Sequence, residues 1–249
     1  MEPIIKVRKL TAQYGSLTVL QNIDLEIHPN EISVILGKSG CGKTTLLKNI
    51  IRLYQPQSGT VEIFGKDVTR MEEKEFNEIL KRIGVLFQNG ALLNSITVGE
   101  NVAIPLEQHT NLPPKIIQRL VKKKLNMVEL DHAIDLFPSQ LSGGMRKRAA
   151  LARAIALDPV ILFGDEPTAG LDPVTAMALD QLLIKLRDLL NMTLVIVTHE
   201  LTSIQRIADR IIFLEDGEIL FQGKLKEAKS LNIPAVKEFF NPDLSMQVL

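Results

Sequence analysis

Tryptophan is absent, cysteine occurs once and aromatic residues make up only 4% of the 249 positions. A lone cysteine, Cys41, excludes an internal disulfide and fits a reducing compartment. An excess of charge of one sign is also missing. Twenty-nine Lys and Arg stand against twenty-nine Asp and Glu, so charge gives no reason to expect nucleic acid as the main partner. No apolar run approaches the length that crosses a bilayer, and the first ten residues hold no apolar signal core. The expectation is an intracellular chain that does not itself span a membrane. Internal repeats and low-complexity tracts are missing too. What remains is a composition 45% hydrophobic and 23% charged, ordinary for a globular protein. The length suits one large domain or a domain with an inserted lobe.

Along the chain, Ile23, Leu25 and Ile27 alternate with Asp24 and Glu26, the pattern of a strand with one wet face. Residues 32–36 form a short, almost uninterrupted apolar run that Gly37 stops, which predicts a strand buried on both faces. Similar runs recur at 83–87, 160–163 and 193–197, separated by helical periodicity such as that of 176–190. Buried strands alternating with helices indicate an α/β core with a mostly parallel sheet. Asp216-Gly217 between two further runs reads as a hairpin turn.

The stretch 89–157 shows no buried strand. Ile117, Val121, Leu125 and Val128 fall on one face of a helix starting near Pro113-Pro114. This predicts an inserted helical subdomain over about 89–157, a catalytic core over about 1–88 and 158–223, and a tail over about 224–249. Residues 122–124 read as the solvated face of that helix. Pro234 and Pro242 bracket a short apolar helix in the tail.

Gly37-Lys38-Ser39-Gly40-Cys41-Gly42-Lys43-Thr44 fits the phosphate-loop pattern G-x-x-x-x-G-K-[ST] and sits between a buried strand and a helix. Glycines let the backbone turn tightly and aim N–H groups at phosphate oxygens. The helix from Thr45 onward adds the positive end of its dipole. In this pattern Lys43 reaches the β- and γ-phosphates of ATP and the Thr44 hydroxyl binds Mg²⁺. Downstream, the run 160–164 ends in Asp165 and Glu166. Asp165 is placed to hold Mg²⁺ and Glu166 to polarise the attacking water as general base. Cys41 lies near a helix N-terminus and next but one to Lys43, features that lower a thiol pKa. The other reading of Cys41 is an inert small residue at a variable position.

Leu141-Ser142-Gly143-Gly144-Met145 opens a further helix, where a hydroxyl and bare N–H groups make a second anion site. With the two motifs above it makes the chain resemble the ATP-binding cassette (ABC) ATPases, whose signature is LSGGQ. The likeness runs from about residue 5 to residue 223. It implies the ABC nucleotide-binding fold, a RecA-like and mostly parallel core sheet with an N-terminal antiparallel β region and an inserted helical subdomain. It also implies that Ser142, Gly143 and Gly144 bind the γ-phosphate held by a partner cassette, so that a homodimer sandwiches two ATP molecules. On the same ground Tyr14 matches the aromatic that stacks on adenine, with Val19 beside it. Gln88 matches the glutamine that senses Mg²⁺ and the attacking water. Asp172, in Ala169-Gly170-Leu171-Asp172, matches the loop that crosses to the opposite subunit, and His199 matches the histidine at the γ-phosphate. Met145 for glutamine and Gly164 for an aliphatic residue depart from the family pattern, and neither removes a phosphate or metal ligand.

One cassette with no heptad arm and no cysteine pairs favours a membrane permease as partner over the DNA-repair and translation branches of the family. The segment 89–102 is where the family docks its permease. Its text, with Ala103-Ile104-Pro105-Leu106 and His109, is similar to the cassettes of MCE-associated lipid transporters, the Mla and Mce systems. So is the run after Met145 (146–157). The resemblance implies phospholipid or other lipid cargo, an MCE-domain lipid-binding partner and a peripheral place on the cytoplasmic face of the inner membrane. An importer cassette for amino acids or another small solute stays open as the alternative, and behind it a non-transport ABC ATPase. Leu92 and Leu93 are adjacent and cannot both face one core, so one of them is expected at the permease.

Overall fold

In the computed structural model, which describes residues 2–231 and 233–240, the alternating and apolar runs become strands and the three-and-four repeats become helices. The elements run β1 (Ile5–Tyr14), β2 (Leu17–Ile27), β3 (Ile32–Leu36), α1 (Lys43–Ile50), β4 (Ser58–Ile63), β5 (Lys66–Asp67), α2 (Glu73–Leu80) and β6 (Ile83–Leu86). They continue with α3 (Val98–His109), α4 (Pro114–Met127), α5 (Gly143–Ala154), β7 (Ile161–Asp165), α6 (Pro173–Leu190) and β8 (Thr193–Val197). The last are α7 (Leu201–Ile207), β9 (Arg210–Glu215), β10 (Glu218–Lys224), α8 (Leu225–Ser230) and α9 (Pro234–Phe240). The chain divides into two compact units, one holding the residues up to Glu72 together with those from Val195 on, the other Glu73–Leu194.

In the first unit, β2, β1, β4 and β5 form an antiparallel sheet in that order, with Ile5 opposite Ile27 on one side and Ile63 on the other. The alternation seen in the sequence buries Ile23, Leu25 and Ile27 on one face. Strand β3 is buried along its whole length and pairs in parallel with β9, Val34 facing Ile211. β9 turns back into β10 through Asp216 (φ 46°) and Gly217 (φ 80°). Positive φ at both central residues is the turn whose twist suits a two-residue hairpin, as Asp-Gly predicts. The tail helix α9 buries Val236 and Phe240 and sets the Phe239 ring edge-on to Phe213 of β9, with centroids 5.6 Å apart. Pro242 lies outside the described residues.

In the second unit, β6 and β7 pair in parallel, Ile83 opposite Ile161 and Leu86 opposite Gly164. Gly84 is fixed by packing, since a Cβ there would come within 2.4 Å of the Ala154 carbonyl at the end of α5. Among the described residues no strand interrupts the stretch between Leu86 and Ile161. Thr97 and Glu100 close a reciprocal capping box at the start of α3, and Pro114 opens α4. Ile117, Val121, Leu125 and Val128 are buried together, as their spacing requires. The expected α/β class, with an antiparallel N-terminal sheet and parallel-paired core strands, is the architecture found. Among the described residues no helix is long and apolar enough to cross a membrane.

One reading of this helix is corrected. Lys122 and Lys123 are exposed, but Lys124 is 1% exposed and its ammonium is paired with Asp158. Lys124 lies three and seven residues from Val121 and Ile117, on the apolar face, so its stem packs in the core while its tip reaches the residue that follows α5 by four positions. Removing the anion strands a buried charge. Asp158→Asn, which keeps the left-handed backbone of that position (φ 51°) accessible, is expected to cost about 1–3 kcal/mol. In a Lys124→Met background the same substitution should cost almost nothing. Urea unfolding of the single and double variants checks the coupling, and equal losses in both backgrounds would refute the ion pair.

Candidate functional site

The first unit carries the phosphate loop between the end of β3 and α1. Gly37 and Gly42 are dictated by contact as well as by dihedral angle. A Cβ on Gly37 (φ 151°) would lie 2.0 Å from the Leu214 carbonyl, and one on Gly42 (φ 105°) 2.8 Å from Leu20. At Gly40 (φ 83°) nothing lies within 4 Å of where a Cβ would stand, so there the glycine serves the turn alone. Lys43 is 8% exposed, and its ammonium donates to the carbonyls of Gly37 (2.9 Å) and Lys38 (2.8 Å). No side chain caps α1, whose N-cap is Gly42, so the positive end of the helix faces the loop without a capping side-chain oxygen. An anion is the natural occupant of such an end. The loop borders a cleft of about 450 Å³ lined by Leu17, Thr18, Val19, the run 38–41 and the turn 215–217. Val19 and the residues Ser39, Gly40 and Cys41 line the same cleft. Tyr14 pairs with Leu17 across the β1–β2 turn, and its side chain lies outside the described residues. His199 follows β8 in this unit and is exposed.

The second unit carries the acidic pair at the end of β7. Asp165 and Glu166 are 7% and 8% exposed. Glu166 adopts φ 47°, a left-handed conformation that costs a residue with a side chain about 1–2 kcal/mol. Its carbonyl accepts from Ala169 N at 3.2 Å and from the Lys147 ammonium at 3.2 Å. Gln88, exposed just past β6, gives its carbonyl to the same ammonium. Burial pushes the Lys147 ammonium below its ordinary range, and the Glu166 and Asp165 carboxylates pull it back up.

The signature segment starts α5. Ser142 is its N-cap, with Oγ accepting from Met145 N at 3.3 Å. Gly144 admits no larger residue, because a Cβ would sit 2.6 Å from the Thr175 methyl, and Gly143 packs beside Leu171. Asp172 caps α6 by accepting from Val174 N and Thr175 N, and the hydrogen bonds from Thr175 hold its carboxyl below the usual range. The signature and the Ala169–Asp172 loop are thus neighbours within one chain.

Side chains that the motifs do not include tie these pieces together. Lys147 bridges Gln88 and Glu166, and Arg153 donates to the carbonyls of Gly90 and Ala91 at 2.9 and 2.8 Å. Asn101, fully buried, holds Leu93 N and the carbonyls of Leu93 and Thr97. The signal in the sequence was a cation at position 147 in register with Ala150 and Leu151, on the apolar face of the signature helix. A larger cavity of about 540 Å³, lined by Ala103, Ile117, Val121, Glu100 and Lys122 among others, borders none of the candidate residues.

A family profile described as ABC transporter matches residues 20–169. The "Intermembrane phospholipid transport system ATP-binding protein MlaF" of Haemophilus influenzae is 41% identical over 220 residues, 88% of this chain and 83% of that protein. The "Probable ribonucleotide transport ATP-binding protein mkl" of Mycobacterium leprae is 39% identical over 237 residues, 95% of this chain and 68% of that one. A solved dimeric ATP-binding cassette in a post-hydrolysis state, bound to ADP and Pi, superposes with a TM-score of 0.81. It is 34% identical and covers 89% of this chain and 98% of its own.

Cys41 departs from the reactive reading. Its thiol is buried, and burial raises its pKa above the ordinary value even though Lys43 works in the opposite direction. The sulfur packs against Gly37 and takes a 3.9 Å contact from the Lys43 ammonium. At pH 7.5 a thiol with a raised pKa holds less thiolate than a free one. Maleimide should therefore label Cys41 at least about tenfold more slowly than a cysteine in a short peptide. Labelling as fast as the peptide would restore the reactive reading.

Proposed function

The chain belongs to the ABC transporter family, and from that premise we propose how its residues divide the work of an ATPase subunit that drives transport. Lys43 leaves the carbonyls of Gly37 and Lys38 for the β- and γ-phosphates of ATP, and the uncapped start of α1 takes the remaining phosphate charge. This uncapped, cation-bearing loop on a cleft is the observation that carries the reading. Tyr14 and Val19 hold the adenine. Thr44 and Asp165 supply one hydroxyl and one buried carboxylate, with Gln88 as a further oxygen. Such a set suits Mg²⁺, which keeps waters and binds through the phosphates rather than in an all-protein cage. Among the described residues no group of three or more His, Cys, Asp or Glu could hold a metal alone, which accords with a metal brought by the nucleotide. When bound, Mg²⁺ neutralises charge on the β- and γ-oxygens. Glu166 takes the proton of the attacking water, and His199 contacts the γ-phosphate.

Ser142, Gly143 and Gly144 complete the site of a second cassette, and the loop ending at Asp172 crosses the dimer interface. The solved relative bound to ADP and Pi is itself dimeric, which supports this pairing. A membrane permease is the other partner. The segment 89–102 is its docking surface, where Leu93 is 51% exposed and Leu92 half-buried. The cargo is phospholipid or a related lipid, delivered with an MCE-domain protein, and the cassette sits on the cytoplasmic face of the inner membrane. The phospholipid transport named for the Haemophilus relative supports this, while the mycobacterial relative bears a ribonucleotide name. Neither bears an amino-acid importer's name, and the phospholipid name of the more identical relative favours lipid over another small solute, the class to which the ribonucleotide name belongs.

Two substitutions separate chemistry from binding. Glu166→Gln should bind Mg-ATP with unchanged affinity, lose about 10²–10⁴-fold in turnover and accumulate as an ATP-bound dimer by light scattering. Lys43→Ala should instead weaken nucleotide binding itself. Hydrolysis at the wild-type rate by Glu166→Gln would remove the general-base assignment.

A further inference from the structure

We infer that Lys147 is a positioning residue for ATP hydrolysis, a buried cation that fixes the Gln88 and Glu166 carbonyls to the signature helix. The inference rests on the assignment of Glu166 and Gln88 proposed above. Its observations are independent of that assignment and lie within one compact unit.

The two carbonyls lie just past two different strands, Gln88 two residues after β6 and Glu166 one residue after β7, where the chain enters a turn. At Glu166 the turn is left-handed, so the direction of its side chain depends on a backbone conformation that the residue does not prefer. Such a conformation persists when its surroundings over-determine it. The Ala169 N–H and the Lys147 ammonium both contribute to this at the Glu166 carbonyl. The Ala169 bond is local to the turn. The Lys147 bond is the one that refers the position of Glu166 to another element, because Lys147 is part of α5, one turn and a residue after the Ser142 cap. The same ammonium holds the Gln88 carbonyl. Lysine offers three donors from one compact head, so one group can serve two carbonyls that no single backbone N–H could reach.

The consequence is mechanical. When the signature end of α5 engages a nucleotide, any shift of that helix is transmitted to the two residues proposed to orient and activate water. Arg153, six residues further along α5, grips the Gly90 and Ala91 carbonyls on the same loop as Gln88. Lys147 joins all three pieces, the signature helix, the loop after β6 and the end of β7.

The test uses the full chain with wild type and Glu166→Gln as references. Lys147→Met keeps the length of the stem and removes every donor, and Lys147→Gln keeps two N–H donors one bond shorter. Steady-state hydrolysis, binding of a fluorescent ATP analogue and melting temperature are measured for each. Lys147→Met should lower kcat about ten- to a hundredfold, the scale of a small misplacement of reacting groups, while nucleotide affinity and melting temperature stay at wild-type values. Lys147→Gln should recover part of the loss. If the Met variant does not fold, Gln decides alone, with reduced kcat at unchanged affinity as the supporting result. Wild-type kcat in the folded Met variant, or in Gln when Met does not fold, overturns the inference, as does a loss of affinity equal to the loss of turnover. Those results with an inactive Glu166→Gln refute Lys147 only, whereas an active Glu166→Gln refutes the site assignment itself.

Discussion

Strands buried on both faces leave a polar side chain nowhere to go but past their ends, and this constraint shapes the rest of the structure. β3 and β7 are buried at every position, and so is β8. The residues proposed for the chemistry lie where each of them stops: Gly37 and the phosphate loop after β3, Asp165 and Glu166 at and after β7, His199 shortly after β8. β6, buried at alternate positions only, is likewise followed within two residues by Gln88. Ligands of open α/β sheets gather at the carboxyl ends of their strands for this reason. Interior positions contribute only packing. The strand ends are the places where water, backbone polarity and charge are tolerated together.

Within each unit the tolerances are narrow. Gly37 lies so close to the Leu214 carbonyl, and Gly42 to Leu20, that the phosphate loop is seated against β9 and β2 by packing that admits no side chain. Gly144 meets Thr175 in the same way, seating the signature against α6. Helix α5 then serves as a beam. Its first residue is capped by Ser142, and Lys147 and Arg153 bolt the loop after β6 to it through backbone carbonyls. A pull on the loop that carries exposed Leu93 is thereby a pull on the signature helix. That geometry gives the proposed permease contact a physical route to the proposed nucleotide site.

Local pattern revealed the elements and the motifs because both depend on neighbours in sequence. The apolar run 32–36, the glycines around Lys43 and the Asp216-Gly217 turn each declare themselves within a few residues. What the sequence concealed depends on partners far along the chain. Lys124 reads as a solvated lysine until Asp158 comes beside it, 34 positions away. Cys41 reads as activated by Lys43 until the desolvation of its buried sulfur outweighs that nearby charge. Lys147 shows only as a cation on an apolar stripe, and its meaning comes from carbonyls 59 residues before it and 19 after. Electrostatics and packing between distant segments are decided by the fold, and short-range periodicity does not carry them.

The central claim is that each complete site takes its phosphate loop from one cassette and its signature from another. Mixing Ser142→Arg chains with Lys43→Ala chains tests this directly, because each variant alone spoils both sites of its own dimer. In a mixed dimer one site keeps an intact Lys43 and an intact Ser142. Random pairing makes half of the dimers mixed, with one complete site of two in each. The account predicts that two nearly inactive preparations regain hydrolysis on mixing, to at most about a quarter of the wild-type rate. A mixture no more active than the average of its parents would contradict it.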